Sequence, residues 1–388
     1  MPLDKSASGG TDGIAGDPYR VMVVDDSAVI RGLLTRALEA DPCVKVVASV
    51  GNGEVAIKTL DRHDIEVIVL DIEMPVMDGL TALPKLLAAK PGVQIIMAST
   101  LTRKNAEVSL RALQAGAADY IPKPTSTSEL TSADSFQREL TAKVKALAAA
   151  TRPADRPATA RSAERPSTVA TMTPRREITL RKPSMALPRV IAIGSSTGGP
   201  QALLEVLRDM TTSVKLPILI TQHMPATFIT QHMPATFTTL LAEHIARATG
   251  VPCAEAKSGD VISEGHIYLA PGDYHMVVES KGASNIIQLN QDPPENFCRP
   301  AVDPMLRSMA KIYGAGLLTI ILTGMGSDGQ KGSAAVVEAG GTVIAQDEAT
   351  SVVWGMPGAV ATHGLCSAVL PIQEIGPNVR KLVMRSAA

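Results

Sequence analysis

The stretches 19-YRVMVVDDS-27 and 66-EVIVLDIEMPVMDG-79 decide the fold of the first half of the chain. Each is a short apolar run that stops abruptly at aspartate: Asp25 and Asp26 in one case, Asp71 in the other. Working outward, Ile30, Leu33, Leu34, Ala37 and Leu38 recur at helical spacing after the first run. VKVVASV reads as a second strand, and a helix is predicted over 79–89. VQIIMA is a fourth strand, 105–115 a helix and DYI a short fifth strand, and a helix over about 128–150 closes the unit. Continuous apolar strands that alternate with amphipathic helices specify a parallel sheet covered on both faces.

A second unit of the same class starts near Arg189. RVIAIG and LPILIT are strands, LLTIILTG is strongly apolar, and TVIAQD is another strand. Helices are predicted near 239–248, 303–313, 329–339 and 357–362, and HIYLA, HMVVES and IIQL suggest an antiparallel excursion. The fold class is therefore α/β throughout: a flavodoxin-like domain over 19–150 and a doubly wound, mostly parallel domain over 189–386. Residues 1–18 are rich in Gly, Ser and Asp and are expected to be a disordered tail. Residues 151–188 are a basic Pro/Ala-rich linker.

The chain has 388 residues, a net charge of -1 and 3% aromatics, which argues against nucleic-acid binding. Its four cysteines are scattered, with no CxxC pair, so a zinc site or disulfide framework is not expected and a reducing cytoplasm fits. No run has the length of a membrane span and the N-terminus lacks the apolar core of a secretory signal. A cytoplasmic protein without membrane insertion is expected.

In a doubly wound sheet the carboxyl ends of the strands share one edge, where ligands bind. Asp25, Asp26 and Asp71 meet there, with Ser99 after the fourth strand and Lys123 after the fifth. Clustered carboxylates need a cation, and an all-oxygen site that also takes phosphate suits Mg²⁺. Residues 20–124 resemble a response-regulator receiver domain through VVDDS, VLDIEMPVMDG, MAST and IPKP. The resemblance implies that Asp71 accepts a phosphoryl group. It further implies Mg²⁺ held by Asp25, Asp26, Asp71 and the Glu73 backbone carbonyl, with Ser99 and Lys123 reading out the phosphoryl group. Tyr120 occupies the family's aromatic switch position, and the Lys123–Pro124 bond is often cis in that family.

In the second domain IAIGSSTGGP joins a buried strand to a helix. It lacks G-x-G-x-x-G, which weakens a dinucleotide-loop interpretation. A purely structural tight turn remains open, as does a nucleophile loop, where a helix N-terminus favours a developing oxyanion. A serine nucleophile needs a base and an orienting acid. ITQHM supplies a histidine just past a strand, and LTGMGSDG supplies Asp328 just past the most apolar one. With IGSSTGGP, ITQHMP, HIYLAPGD, RPAVDPML, ILTGMGSDG and QDEATSVVWGMP, the region 189–375 is similar to the catalytic domain of CheB chemotaxis methylesterases. By that resemblance Ser196 is the nucleophile and Asp328 the third triad member, Met325 lies beside the histidine, and Ser195 is a small structural residue. The esterase site needs no cofactor.

One feature departs from the family: ITQHMPATF occurs at 220–228 and again, letter for letter, at 229–237. A looped-out copy is expected, because nine residues would rotate a helical face by about half a turn and an odd insertion flips a strand. His223, directly after a buried strand, is favoured as the base over His232. The resemblance implies hydrolysis of glutamyl methyl esters, and deamidation of glutamines, on methylated chemoreceptors, activated when a chemotaxis histidine kinase phosphorylates Asp71. The alternative is a phospho-regulated binding module whose esterase domain is impaired by the duplication. A transcriptional regulator is disfavoured, because no basic recognition helix follows the receiver.

Overall fold

A computed structural model describes residues 17–99, 103–123, 133–152, 178–223 and 234–385. The 1–16 part of the tail, most of the linker, the Lys123–Pro124 bond and His232 lie outside the described residues.

The first domain runs β1 (Tyr19–Val24), α1 (Ala28–Glu39), β2 (Val44–Val50), α2 (Gly53–Leu60), β3 (Val67–Asp71), α3 (Gly79–Ala89), β4 (Gln94–Ser99), α4 (Arg103–Gln114), β5 (Asp119–Pro122) and α5 (Ala133–Thr151). All four strand pairings are parallel, in the order β2-β1-β3-β4-β5. β3 is buried along its whole length because helices cover both faces of the sheet. Ser27, Asn52 and Asp78 cap α1, α2 and α3 by accepting backbone N–H bonds, so each helix starts at a short polar side chain. The aspartates at the strand ends are thereby fixed between a buried strand and a capped helix.

The second domain contains β6 (Val190–Ser195), α6 (Gly199–Met210), β7 (Ile218–Gln222), α7 (Pro234–Thr249), β8 (Cys253–Glu255), β9 (Ile267–Leu269), β10 (His275–Lys281), β11 (Ser284–Asn290), α8 (Val302–Tyr313), β12 (Leu317–Ile321), α9 (Gln330–Glu338), β13 (Thr342–Gln346), α10 (Met356–Thr362), β14 (Ala368–Leu370) and α11 (Ile372–Met384). Its seven-stranded sheet is parallel throughout, in the order β14-β13-β12-β6-β7-β9-β8. The antiparallel excursion is smaller than expected. Only β10 and β11 form a hairpin, whereas HIYLA enters the main sheet as β9, parallel to both neighbours. Its buried Ile267, Tyr268 and Leu269 need a covered sheet, which a two-stranded ribbon cannot provide.

Part of the linker is built into this domain. Arg181 N donates to Cys366 O at 2.8 Å, Ser184 N donates to Thr342 Oγ1 at 2.9 Å, and Arg385 donates to Ala186 O at 3.0 Å.

The domains pack through the α4–β5–α5 side of the first and α6, α7 and the β13–α10 loop of the second. One apolar cluster runs from Leu110 and Leu113 into Leu203, Leu204 and Leu241. Gln201 Nε2 donates to Leu113 O at 2.8 Å and to Ala117 O at 2.7 Å. Tyr120 stacks on Phe237 with ring centroids 4.4 Å apart.

Candidate active site and phospho-acceptor site

The carboxyl edge of the first sheet gathers the predicted acidic residues. Ligand oxygens of Asp25, Asp26 and Asp71 all lie within 4.8 Å of one another. Lys123 Nζ lies 2.5 Å from Asp25 Oδ2 and 2.6 Å from Asp71 Oδ1. Burial pushes the Asp71 carboxyl above the usual range; Lys123 opposes that shift and Asp25 adds to it. Ser99 is buried with its hydroxyl 3.3 Å from Ser109 Oγ, and its carbonyl accepts from Lys123 N at 2.8 Å. Gly79 closes the site from beneath: a Cβ there would lie 2.0 Å from Asp71 O. No larger residue fits without displacing the end of β3.

In the second domain the chain order reverses direction between β6 and β12, and the crevice at such a switch point is where an open α/β sheet binds its ligand. Ser196 follows β6, Asp328 lies in the loop after β12, and His223 follows β7, the other neighbour of β6. Register brings serine and histidine together. Ser195 pairs with Gln222, and His223 N donates to Ser195 O at 2.8 Å, so Ser196 and His223 leave adjacent strands side by side. Ser196 N donates to Thr323 O at 3.0 Å, tying the serine to the Asp328 loop. Gly324 permits this approach, since a Cβ there would meet Ser196 Cβ at 2.8 Å. Ser195 is fully buried and donates to Gln222 Oε1 at 2.7 Å, a structural role; Ser196 is half-buried.

His223 Nε2 donates to Asp328 Oδ2, and Asp328 is held by four further N–H donors. Val302 N lies 2.6 Å from Oδ2, while Asp303 N (3.0 Å), Asn296 Nδ2 (2.9 Å) and Gly329 N (2.9 Å) converge on Oδ1. Burial works to raise the Asp328 pKa, but His223 and these donors hold the carboxyl far below the usual range. Its neighbour Asp303 moves the other way, to about 6, through burial and the Asp328 charge. Burial alone would depress the imidazole, yet Cys298 and Asp328 outweigh it and keep His223 well above the usual histidine range. The second ring nitrogen, Nδ1, lies 3.5 Å from Cys298 Sγ. Among the described residues, the Ser196 hydroxyl is hydrogen-bonded to no side chain.

This chain matches the CheB methylesterase family over 191–230 and 225–379, two stretches that overlap inside the doubled segment, and the response regulator receiver domain over 21–133. A protein of Rhodospirillum centenum named protein-glutamate methylesterase/protein-glutamine glutaminase of group 2 operon is 60% identical, with 96% of each chain covered. The chain belongs to the CheB methylesterase family. It is a carboxylic-ester hydrolase carrying a receiver domain. An Azospirillum brasilense protein named protein-glutamate methylesterase/protein-glutamine glutaminase is also 60% identical, over 97% of this chain and 96% of its own. The Thermotoga maritima CheB methylesterase catalytic domain is 36% identical over 51% of this chain and 100% of its own, with a TM-score of 0.47. Among the described residues no helix is long and apolar enough to cross a membrane.

Several members of the site were not legible in the sequence. Asn296 and Cys298 reach His223 and Asp328 from a loop that carries no motif. Thr197, beside Ser196, donates to Asp119 Oδ2 of the receiver at 2.7 Å, and that carboxylate also pairs with Lys143 at 2.7 Å. Arg299 is held by Asp273, Gln291 O and Asp292 O. Trp354 packs with its Nε1 donating to Gln346 O at 3.1 Å.

Proposed function

We propose that the protein hydrolyses glutamyl methyl esters, and deamidates glutamines, on chemoreceptors, using Ser196, His223 and Asp328 under phosphorylation control at Asp71. The observation that carries this reading is the His223–Asp328 pair at the sheet edge where β6 delivers Ser196. The buried carboxylate fixes the imidazole with Nε2–H toward itself, which leaves Nδ1 as the nitrogen available to a nucleophile. Ser196 Oγ attacks the ester carbonyl as Nδ1 takes its proton, and the α6 N-terminus, three residues on, favours the oxyanion. The proton passes to the leaving methanol, and water then repeats the sequence on the acyl-enzyme. A primary amide follows the same course with ammonia as leaving group.

His223 is the fourth residue of the first ITQHMPATF copy and keeps its Asp328 contact, so the duplication leaves one base in place. This favours the enzyme over a binding module. The receiver supplies the control. Asp119 holds Thr197 directly beside the nucleophile, and Tyr120 is stacked on α7. Arg138 of α5 lies over the ring of Phe297, next to Cys298. In this arrangement the α4–β5–α5 face sits against the catalytic loops.

The donor set of Asp25, Asp26 and Asp71 is all oxygen and suits Mg²⁺, with the Glu73 carbonyl as a further ligand. Bound there, the ion would neutralise charge on an incoming phosphoryl group. Asp71 accepts the phosphoryl group from a chemotaxis histidine kinase, and Lys123 and Ser99 bind its oxygens. Lys123 must then loosen from the Asp71 carboxylate, which shifts β5 and weakens the receiver's hold on Thr197.

The test is methanol release from methylated receptors by the full-length chain with a phosphodonor. Ser196→Ala and His223→Ala should each abolish it, and His232→Ala should leave it near the wild-type rate. Equal rates for wild type and Ser196→Ala would reject the assignment, and loss only in His232→Ala would move the base to the second copy.

A further inference from the structure

Both nitrogens of the His223 ring are engaged, and neither partner is the nucleophile. Nε2 faces Asp328, while Nδ1 lies 3.5 Å from Cys298 Sγ. Ser196, one strand position from His223, has its hydroxyl bonded to no side chain among the described residues. The nitrogen that must take the serine proton is therefore held by a thiol.

We infer that Cys298 is a positioning residue for the known reaction: it is the resting partner of His223 Nδ1 and sets how readily the base is offered to Ser196. This inference rests on the serine–histidine reading above. The contact parks the base in both protonation states of the pair. A neutral imidazole accepts the Cys298 S–H, and an imidazolium donates to the thiolate; neither form leaves a lone pair for Ser196. No bond is made or broken in the exchange. The ring trades a weak S–H contact for an O–H bond when substrate binds.

The setting makes this a specific arrangement. Cys298 sits on a loop anchored at both flanks: Asn296 Nδ2 donates to Asp328 Oδ1, and Arg299 is locked on Asp273. Asn296 and Phe297 adopt φ of 52° and 63°, left-handed values that a non-glycine residue keeps only under tertiary constraint. That strained turn delivers the sulfur to the ring. Burial alone pushes the Cys253 and Cys366 thiols up to about 12, and among the described residues neither sulfur has a hydrogen bond to an imidazole. Among the described residues, the groups hydrogen-bonded to His223 are Ser195 and Gln222 from the sheet, Cys298 from the loop before α8 and Asp328 from the loop after β12, with Asn296 and Asp303 behind Asp328. Among the described residues, removing the sulfur leaves Asp328 as the charged group hydrogen-bonded to the ring.

The test uses full-length Cys298→Ala and Cys298→Ser with a phosphodonor and methylated receptor. Freeing Nδ1 from a hydrogen bond at the weak end of the usual range predicts a kcat/KM about twofold higher for Cys298→Ala. Its acid limb should move to lower pH, because the imidazole loses a partner that stabilises its charge. Cys298→Ser restores a donor and should bring the rate back toward wild type. Unchanged kcat/KM and a superimposable pH profile in Cys298→Ala, or identical behaviour of the two variants, would overturn the inference. A second measurement needs no active Cys298 variant: alkylation of Cys298 by iodoacetamide, followed by peptide mass spectrometry in wild type and His223→Gln. Alkylation should slow at least threefold in His223→Gln, since that variant removes the ring nitrogen that touches the sulfur and can take its proton as the thiol attacks; an unchanged rate also overturns the inference. The two readings fail separately. Full hydrolysis by Ser196→Ala would sink the catalytic assignment, while the dependence of Cys298 alkylation on His223 would still stand.

Discussion

Replacing Asp328 with asparagine tests the site most severely, because the structure dictates how an amide must sit there. Oδ1 accepts from Asn296, Asp303 and Gly329, so the asparagine oxygen takes that position and its NH₂ falls where Oδ2 was. The NH₂ then faces two donors, Val302 N–H and His223 Nε2–H. A buried backbone N–H loses its acceptor, which costs about 1–3 kcal/mol of stability. The imidazole must also move its proton to Nδ1 so that Nε2 can accept from the new amide. That tautomer presents N–H to Ser196 and cannot take the hydroxyl proton. A correct fold with the wrong tautomer lowers kcat by about 10⁴, close to 5.5 kcal/mol of transition-state stabilisation. The assay is initial methanol release from methylated receptor by Asp328→Asn and wild type with phosphodonor, alongside urea unfolding of both. A stability loss in the stated range with kcat within tenfold of wild type would refute the role given to the His223–Asp328 pair.

Two further outcomes are expected. Glu139 is buried beside Lys143 and Asp119, and burial raises its carboxyl from 4.5 to about 7. A raised carboxyl favours the protonated folded form, so stability relative to Glu139→Gln is fully present below about pH 4.5 and is lost as pH rises to about 7. The gap should level off near 3 kcal/mol, at about 1.4 kcal/mol per unit; denaturation midpoints at several pH values check this, and a pH-independent gap would count against it. Gln201→Ala deletes two bonds to receiver carbonyls, together about 2 kcal/mol, so hydrolysis without phosphodonor should rise by up to about 30-fold while the phosphorylated rate stays constant. An unchanged ratio of the two rates would show that this contact does not hold the domains together.

The sequence by itself determined the two α/β units, because continuous apolar strands between amphipathic helices admit few other arrangements. It also placed Asp25, Asp26, Asp71, Lys123 and Ser196 at strand ends and Asp328 in the loop after β12, since a strand that stops at a polar residue locates that residue along the chain. His223 was legible for the same reason: LPILIT is buried and the histidine follows it at once. The β9 strand was misjudged, because three apolar residues carry no sign of whether their neighbour runs parallel or antiparallel. Asn296, Cys298 and the Asp119–Thr197 bond could not be foreseen. They join loops 75 residues apart in the case of His223 and Cys298, and 78 in the case of Asp119 and Thr197. No local period or motif encodes such distances; packing of the loops and of one domain on the other decides them. Tertiary structure alone therefore fixed which groups touch His223 and which part of the receiver touches the loop that carries Ser196.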